Sequence, residues 1–289
     1  MEQQLQFTPQ IRDWIVNNLD RGIPPAPLVR NMIGHGFDPA VAEALIHTFW
    51  FARATGAPLP EQALSPAQIA AATYRYEPSR LAADHARVAL RVAQPSLAVL
   101  DSVLSTAECD ELIGLATPRL APSTIVDPVS GQDTAAASRS SEGMFFGLEE
   151  NELVARIDRR LSWLMSLPVG NGEGLQILRY QPGAQSTPHF DFLMQTNEAN
   201  AASVARSGQR VSTLIVYLND VEQGGETVFP ESGIEVAPRK GGGLYFEYCN
   251  SDGQLDPRSV HAGAPVLAGE KWIVTKWMRQ RQFVPRQSA

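Results

Sequence analysis

Apolar residues in the first fifty positions recur at helical spacing. Ile11, Trp14, Ile15 and Leu19 make one stripe, Leu28 and Met32 a second, and Val41, Ala44, Leu45 and Phe49 a third. Gly22-Ile23-Pro24-Pro25 and Gly34-His35-Gly36-Phe37-Asp38-Pro39 break the pattern between them, so a small helical bundle is expected. The stretch from Gly56 to Arg80, rich in Pro, Ala and Gln, reads as a linker. This places an N-terminal module over residues 1–75, a linker to about 85 and a second domain over residues 86–285. From Arg87 the period shifts toward strands, RVALRV and SLAVLDSVL, followed by a helix that Ser105 caps with Glu108 in a capping box. Leu153, Val154, Ile157, Leu161 and Leu164 form the stripe of another amphipathic helix, from about Glu149 to Met165. Beyond it only strands are expected: LQILRY, the segment around His189, RVSTLIVYL, GIEVAP, GGLYFEY, SVHAG and KWIVTKWM. Residues 194–208, polar and rich in small side chains, read as a mobile loop able to close over a substrate. The implied fold is α+β with a mainly β core, a jelly-roll barrel braced by helices and preceded by the helical module.

Composition narrows the function. The 289 residues are 44% hydrophobic and 19% charged, and no apolar run approaches the ~18 residues a membrane span needs, so no membrane association is expected. A net charge of −7 disfavours nucleic acid, whose phosphates are neutralised by Lys and Arg. The N-terminus, MEQQLQFTPQ, lacks a basic start followed by an apolar stretch, and the expected location is cytoplasmic. Cys109 and Cys249 lack CxxC spacing and are expected as buried free thiols. His35 and His47 have no acidic or cysteine partner at ligand spacing and read as structural.

The chemistry concentrates in STPHFDFL. On a strand, His189 and Asp191 project from one face toward one point. His261, on a later strand, supplies the third member of a 2-His-1-carboxylate set, which leaves an open face on non-haem Fe(II) for a 2-oxo acid and dioxygen. Such an acid carries a distal carboxylate that needs a cation once out of water. Lys271 is one of only three lysines and opens an apolar strand. A hairpin at Gly269-Glu270 is expected to return it on the strand neighbouring His261, and alternation places Lys271, Ile273, Thr275 and Trp277 on one inward face.

From about Gln94 to Gln280 the chain resembles the prolyl 4-hydroxylase family of Fe(II)- and 2-oxoglutarate-dependent dioxygenases. The resemblance lies in RSSEGMFF, LQILRYQPG, HFD, RVSTLIVYLNDVEQGGETVFP and SVHAGAPVLAGEKWIVTKW. It implies a double-stranded β-helix, His189, Asp191 and His261 as iron ligands, and Lys271 on the distal carboxylate of 2-oxoglutarate. It further implies Tyr180, Thr213 and Trp277 along the same pocket and Arg139, Ser141 and Glu173 near a substrate groove. The cofactors the resemblance implies are Fe(II), 2-oxoglutarate as co-substrate and O2, with ascorbate beside them. The implied reaction is hydroxylation of a C–H bond, of a prolyl residue in a peptide or protein, with release of succinate and CO2. Where the family often has an aromatic three residues before the first ligand, this chain has Ser186. A free amino acid or small metabolite as substrate, and a non-catalytic 2-oxoglutarate-sensing interaction protein, stay open beside that reading. MIGHGFDPAVAEAL resembles the three-helix ubiquitin-associated fold, which implies a protein partner for the N-terminal helices; a helical appendage packed on the main domain is the other reading.

Overall fold

The structure is a computed structural model that describes residues 4–55, 57–66, 68–69, 74–82, 87–122, 124–126, 133–135, 141–195 and 197–285. Arg139 lies outside them. The N-terminal helices are α1 (Pro9–Asp20), α2 (Pro25–Gly34) and α3 (Pro39–Thr55). Thr8 accepts the Ile11 amide at the start of α1, and the Asp38 carboxylate accepts the Ala40 and Val41 amides at the start of α3. The expected stripes close on one another: Ile15, Leu19, Leu28, Met32, Leu45, Ile46 and Phe49 form a hydrophobic cluster of their own. Leu5–Gln6 pairs with Ala63–Leu64 and ties the module's entry to its exit.

The rest is built on two antiparallel sheets. Their strands are β1 (Arg87–Val92), β2 (Leu97–Asp101), β3 (Ser141–Phe146), β4 (Leu175–Tyr180), β5 (Ser186–His189) and β6 (Arg210–Tyr217). They continue with β7 (Thr227–Phe229), β8 (Ile234–Val236), β9 (Gly243–Glu247), β10 (His261–Gly263) and β11 (Lys271–Arg279). The large sheet runs β1-β2-β9-β6-β11-β4-β3, with Ala121–Pro122 at its edge, and the small one β5-β10-β7-β8. One cavity is lined from both, by Gln176, Tyr180, Ile215 and Lys271 of the large sheet and by His189, Thr227 and His261 of the small one, so the sheets face each other as a double-stranded β-helix.

Helices cover the far side of the large sheet. They are α4 (Thr106–Ala116) and α5 (Glu152–Leu164). The capping box of Ser105 and Glu108 forms as expected, and Glu108 also takes both Arg160 Nη atoms at 2.8 Å, joining α4 to α5. Helix α5 buries the predicted stripe of Leu153, Val154, Ile157, Leu161 and Leu164. With one face on the cavity and the other under this cover, β6 and β11 are buried almost throughout, which is why they read as continuous apolar runs.

Two expectations are corrected. Residues 198–207 are not a loop but helix α6 (Glu198–Ser207), capped by Asn197 and held by Arg279 Nη2 on the Ser203 carbonyl at 2.9 Å. Lys271 does not return beside His261: β10 pairs with β5 and β7, whereas β11 lies between β6 and β4 in the opposite sheet. Val266–Ala268 intervenes and pairs with Gln223–Gly224, so the chain changes sheets before Lys271. The two thiols are buried and free, as expected. Among the described residues no helix is long and apolar enough to cross a membrane.

Candidate metal centre

Strand register brings the histidines together. His189 is the Cα partner of His261 in the antiparallel β5–β10 pair, and directly opposed residues share a face. Their rings lie 4.4 Å apart. Asp191 follows just past the end of β5, with its Oδ1 3.8 Å from His189 Nε2 and its Oδ2 3.7 Å from His261 Nε2. One ligand atom from each of the three lies within 4.8 Å of the other two, the only such group of three or more His, Cys, Asp or Glu among the described residues. Each imidazole sets its Nδ1 on the carbonyl two residues upstream, His189 on Thr187 at 2.8 Å and His261 on Ser259 at 3.0 Å. An Nδ1–H donated to a carbonyl assigns the tautomer and turns Nε2 toward Asp191, the arrangement of a metal-ligating histidine.

Asp191 is held from behind. The Thr213 hydroxyl donates to its Oδ2 at 2.6 Å and lies 2.9 Å from the Tyr248 hydroxyl. Burial by itself raises the Asp191 carboxyl, but His261, His189, Arg210 and the Thr213 hydrogen bond outweigh it and hold the group down at about 2. Arg210 donates to the Asp191 carbonyl at 3.2 Å, and its guanidinium is fixed by two 2.7 Å hydrogen bonds to the Glu173 carboxylate. The carboxylate is therefore ionised and oriented.

The cavity in front of these residues runs to Lys271. Lys271, Ile273, Thr275 and Trp277 all line it, as the alternation along β11 predicts. The Lys271 Nζ lies 5.6 Å from the ring centres of Tyr180 and Tyr217. Among the described residues it has no ion-pair partner within 4.0 Å. Burial pushes its ammonium down to about 8, against the opposing pull of Glu226. Two more polar atoms on the cavity wall, Gln176 Oε1 and Trp277 Nε1, have no hydrogen-bond partner among the described residues. Access is asymmetric: the His189 side chain is 29% exposed and that of His261 5%.

Other predicted residues fall differently. Tyr180 and Trp277 line the cavity, but Thr213 sits behind Asp191. Ser141 is buried opposite Tyr180 in the β3–β4 pair. The Glu173 carboxylate is engaged by Arg210 and lies 3.4 Å from Arg279. Ser186 lines the cavity wall. Glu226 is the acid that acts on Lys271, and the turn before it needs Gly224, where a Cβ would meet the Pro265 carbonyl. Arg210, Tyr217 and Tyr248 were not singled out from the sequence. A signal for Arg210 existed, since it opens an apolar strand just as Lys271 does.

The family model described as the 2OG-Fe(II) oxygenase superfamily matches residues 175–279, a span that holds His189, Asp191, His261 and every residue lining the cavity. Prolyl 4-hydroxylase 1 of Arabidopsis thaliana is 40% identical over 202 residues, 65% of this chain and 70% of that protein. Prolyl 4-hydroxylase 5 of the same plant is 38% identical over 210 residues, covering 66% and 70%. Among solved structures, the viral collagen prolyl hydroxylase of Paramecium bursaria Chlorella virus-1 in its 2-oxoglutarate complex is 31% identical. The match covers 63% of this chain and 94% of that one at a TM-score of 0.49.

Proposed function

The chain belongs to the prolyl 4-hydroxylase family of 2-oxoglutarate- and Fe(II)-dependent oxygenases, and from that premise we propose that it hydroxylates prolyl residues of a peptide or protein, with His189, Asp191 and His261 holding the iron. The observation that carries the assignment of roles is the convergence of two Nε2 atoms and one carboxylate on a point in the same cavity as a buried lysine with no ion-pair partner among the described residues. The donor set suits iron: two imidazoles and one carboxylate leave several coordination positions open. The cavity suits 2-oxoglutarate, because Lys271 and Trp277 offer its carboxylates a buried cation and an N–H donor that has no partner among the described residues.

When bound, the iron supplies activation of dioxygen coupled to decarboxylation of 2-oxoglutarate. The protein's share is orientation. Lys271 neutralises the distal carboxylate, and the enclosed barrel strengthens that pairing by excluding water. Thr213 and Arg210 keep Asp191 ionised and turned toward the histidines. Thr187 and Pro188 are exposed next to the half-buried His189, so a peptide reaches the centre from that side.

The test compares substrates. Iron-loaded protein incubated with 2-oxoglutarate and O2 is expected to add a single oxygen atom to proline-rich peptides, read by mass spectrometry, with one succinate formed per oxygen added. Oxidation of free amino acids alone would move the substrate to the small-metabolite class, and no succinate from fully iron-loaded protein would reject the activity.

A further inference from the structure

The segment His189-Phe190-Asp191-Phe192 has two working faces. His189 and Asp191 turn into the cavity, while Phe190 and Phe192 stack on each other at 4.4 Å. Phe192 is buried in the barrel and reaches Tyr248 at 6.0 Å, the residue hydrogen-bonded to Thr213. Phe190 is only half-buried, and rings of the N-terminal module cover it. Trp50 of α3 meets it edge-on at 5.5 Å; Phe51 lies 5.9 Å from Phe190 and 6.1 Å from Phe192. Phe51 packs on the hydrophobic cluster of the barrel, unlike its neighbour Phe49, which is buried in the cluster of the module.

The same helix reaches the other ligand. Glu43 Oε1 accepts Arg258 Nη2 at 3.2 Å, and Arg258 sits in the turn Pro257–Ser259, whose Ser259 carbonyl orients His261. Asp256 fixes that turn through the Arg258 amide at 2.9 Å. One helix thus backs the segments that carry all three ligands, although it contributes no atom to the cavity.

We propose that α3 is a positioning element of the metal centre: Trp50 and Phe51 set the His189–Asp191 segment, and Glu43, through Arg258, sets His261, so that metal binding and docking of the N-terminal module are thermodynamically linked. The proposal rests on the assignment of His189, Asp191 and His261 as ligands. Asp191 lies past the end of β5 and has no sheet partner. Its backbone is held on the barrel side by Arg210, and its neighbour Leu193 by Gln209. The opposite side is held by aromatic packing, which weakens when a ring is lost. Linkage is reciprocal, so anything that pulls α3 away lowers metal affinity by the same factor by which bound metal resists the pull.

The experiment is an anaerobic Fe(II) titration of the full chain and of Phe51→Ala, Trp50→Ala and Phe51→Leu. The two alanine variants are expected to raise the Fe(II) dissociation constant about tenfold, equivalent to ~1.4 kcal/mol. Phe51→Leu, which keeps an apolar side chain against Phe190 and Phe192, is expected to restore most of that loss. With Co(II) in place of iron, the visible ligand-field bands are expected to shift in Phe51→Ala and to return in Phe51→Leu. At saturating Fe(II) the alanine variants should regain kcat, which separates loss of metal positioning from loss of the fold. Ile33→Ser, on an exposed part of the module, is the control and should behave as wild type.

Dissociation constants within twofold of wild type in folded Phe51→Ala and Trp50→Ala would overturn the proposal. If either variant fails to fold, hydrogen exchange on the wild-type chain with and without Zn(II) decides the matter. Slower exchange of the α3 amides with metal supports the linkage, and unchanged exchange refutes it. A wild-type chain that binds Fe(II) while the variants bind it equally well sinks this inference alone. A wild-type chain that binds none sinks the functional reading, and the linkage with it.

Discussion

Lys271 carries opposite signs for stability and for binding. Its ammonium is held down at about 8 by burial, against an ordinary value near ~10.4 in the unfolded chain. The unfolded state then binds the extra proton between those values, so the residue's contribution to stability rises with pH across that window. At neutral pH its buried charge is a cost, and Lys271→Met is expected to raise the melting temperature of the metal-free protein. The same variant leaves a carboxylate of 2-oxoglutarate buried without a partner, a loss of ~3 to 5 kcal/mol. That corresponds to a loss of roughly 100-fold or more in affinity, read by anaerobic titration of the iron-loaded protein. Only the protonated lysine pairs with a carboxylate, so 2-oxoglutarate affinity in the wild type should be flat below about pH 8 and fall by up to about tenfold per unit above it. A flat profile to pH 9.5 in the wild type would remove Lys271 from the binding site. Thr213→Val gives a complementary residue-scale test. It keeps the shape and removes the donor to Asp191 Oδ2, and iron affinity should fall by roughly 10- to 100-fold.

At the scale of elements, β11 works on both faces. Lys271, Ile273, Thr275 and Trp277 serve the cavity, and Lys276 points the other way, under α5. Its Nζ donates to Asp158 at 2.7 Å and to the Glu173 carbonyl at 2.7 Å, with both side chains of the ion pair fully buried. Gly172 leaves room for this, because a Cβ there would collide with the Lys276 side chain. The pair thus pins α5 to the strand that carries Lys271. Lys276→Met strands the Asp158 charge, and a loss of ~3 to 5 kcal/mol in unfolding free energy is expected by denaturant titration. The double variant Lys276→Met/Asp158→Leu should recover most of it, since the cost lies in the unpaired charge. A single variant as stable as wild type would show that the pair does not hold α5 to the sheet.

Across the whole molecule, two hydrophobic clusters meet at a specific seam. The cluster of the N-terminal helices runs from Phe7 to Leu64, and the barrel's from Leu81 onward, with Phe51 packed on the latter. Composition places the boundary of the N-terminal module near residue 75. The seam adds a consequence that composition does not show. Removing residues 1–75 uncovers Phe190 and the Arg258 turn, so the truncated barrel is expected to fold with weakened iron affinity. Fully retained affinity in a soluble truncated protein would make the seam incidental, and an insoluble product would mean that the two clusters fold as one unit.

Much of this was readable along the chain because it depends on local period. The stripes of α1, α3 and α5 lie where the 3.6-residue repeat puts them, and the inward row from Lys271 to Trp277 follows from the two-residue repeat of one strand. His189, Asp191 and His261 stood out because two donors share one face and a third occurs on a later strand. Helix α6 was also legible in principle: Asn197 caps a run rich in alanine, but its polarity reads as a loop until Arg279 and Arg281 are seen to hold it. Pairing was not legible. That His189 opposes His261, that Lys271 faces them from the other sheet, that Thr213 lies behind Asp191 and that Phe51 covers Phe190 are all choices of partner between segments far apart in sequence. Periodicity says which side of an element is buried; which neighbour it is buried against is set by register and packing, and these exist only once the strands have paired.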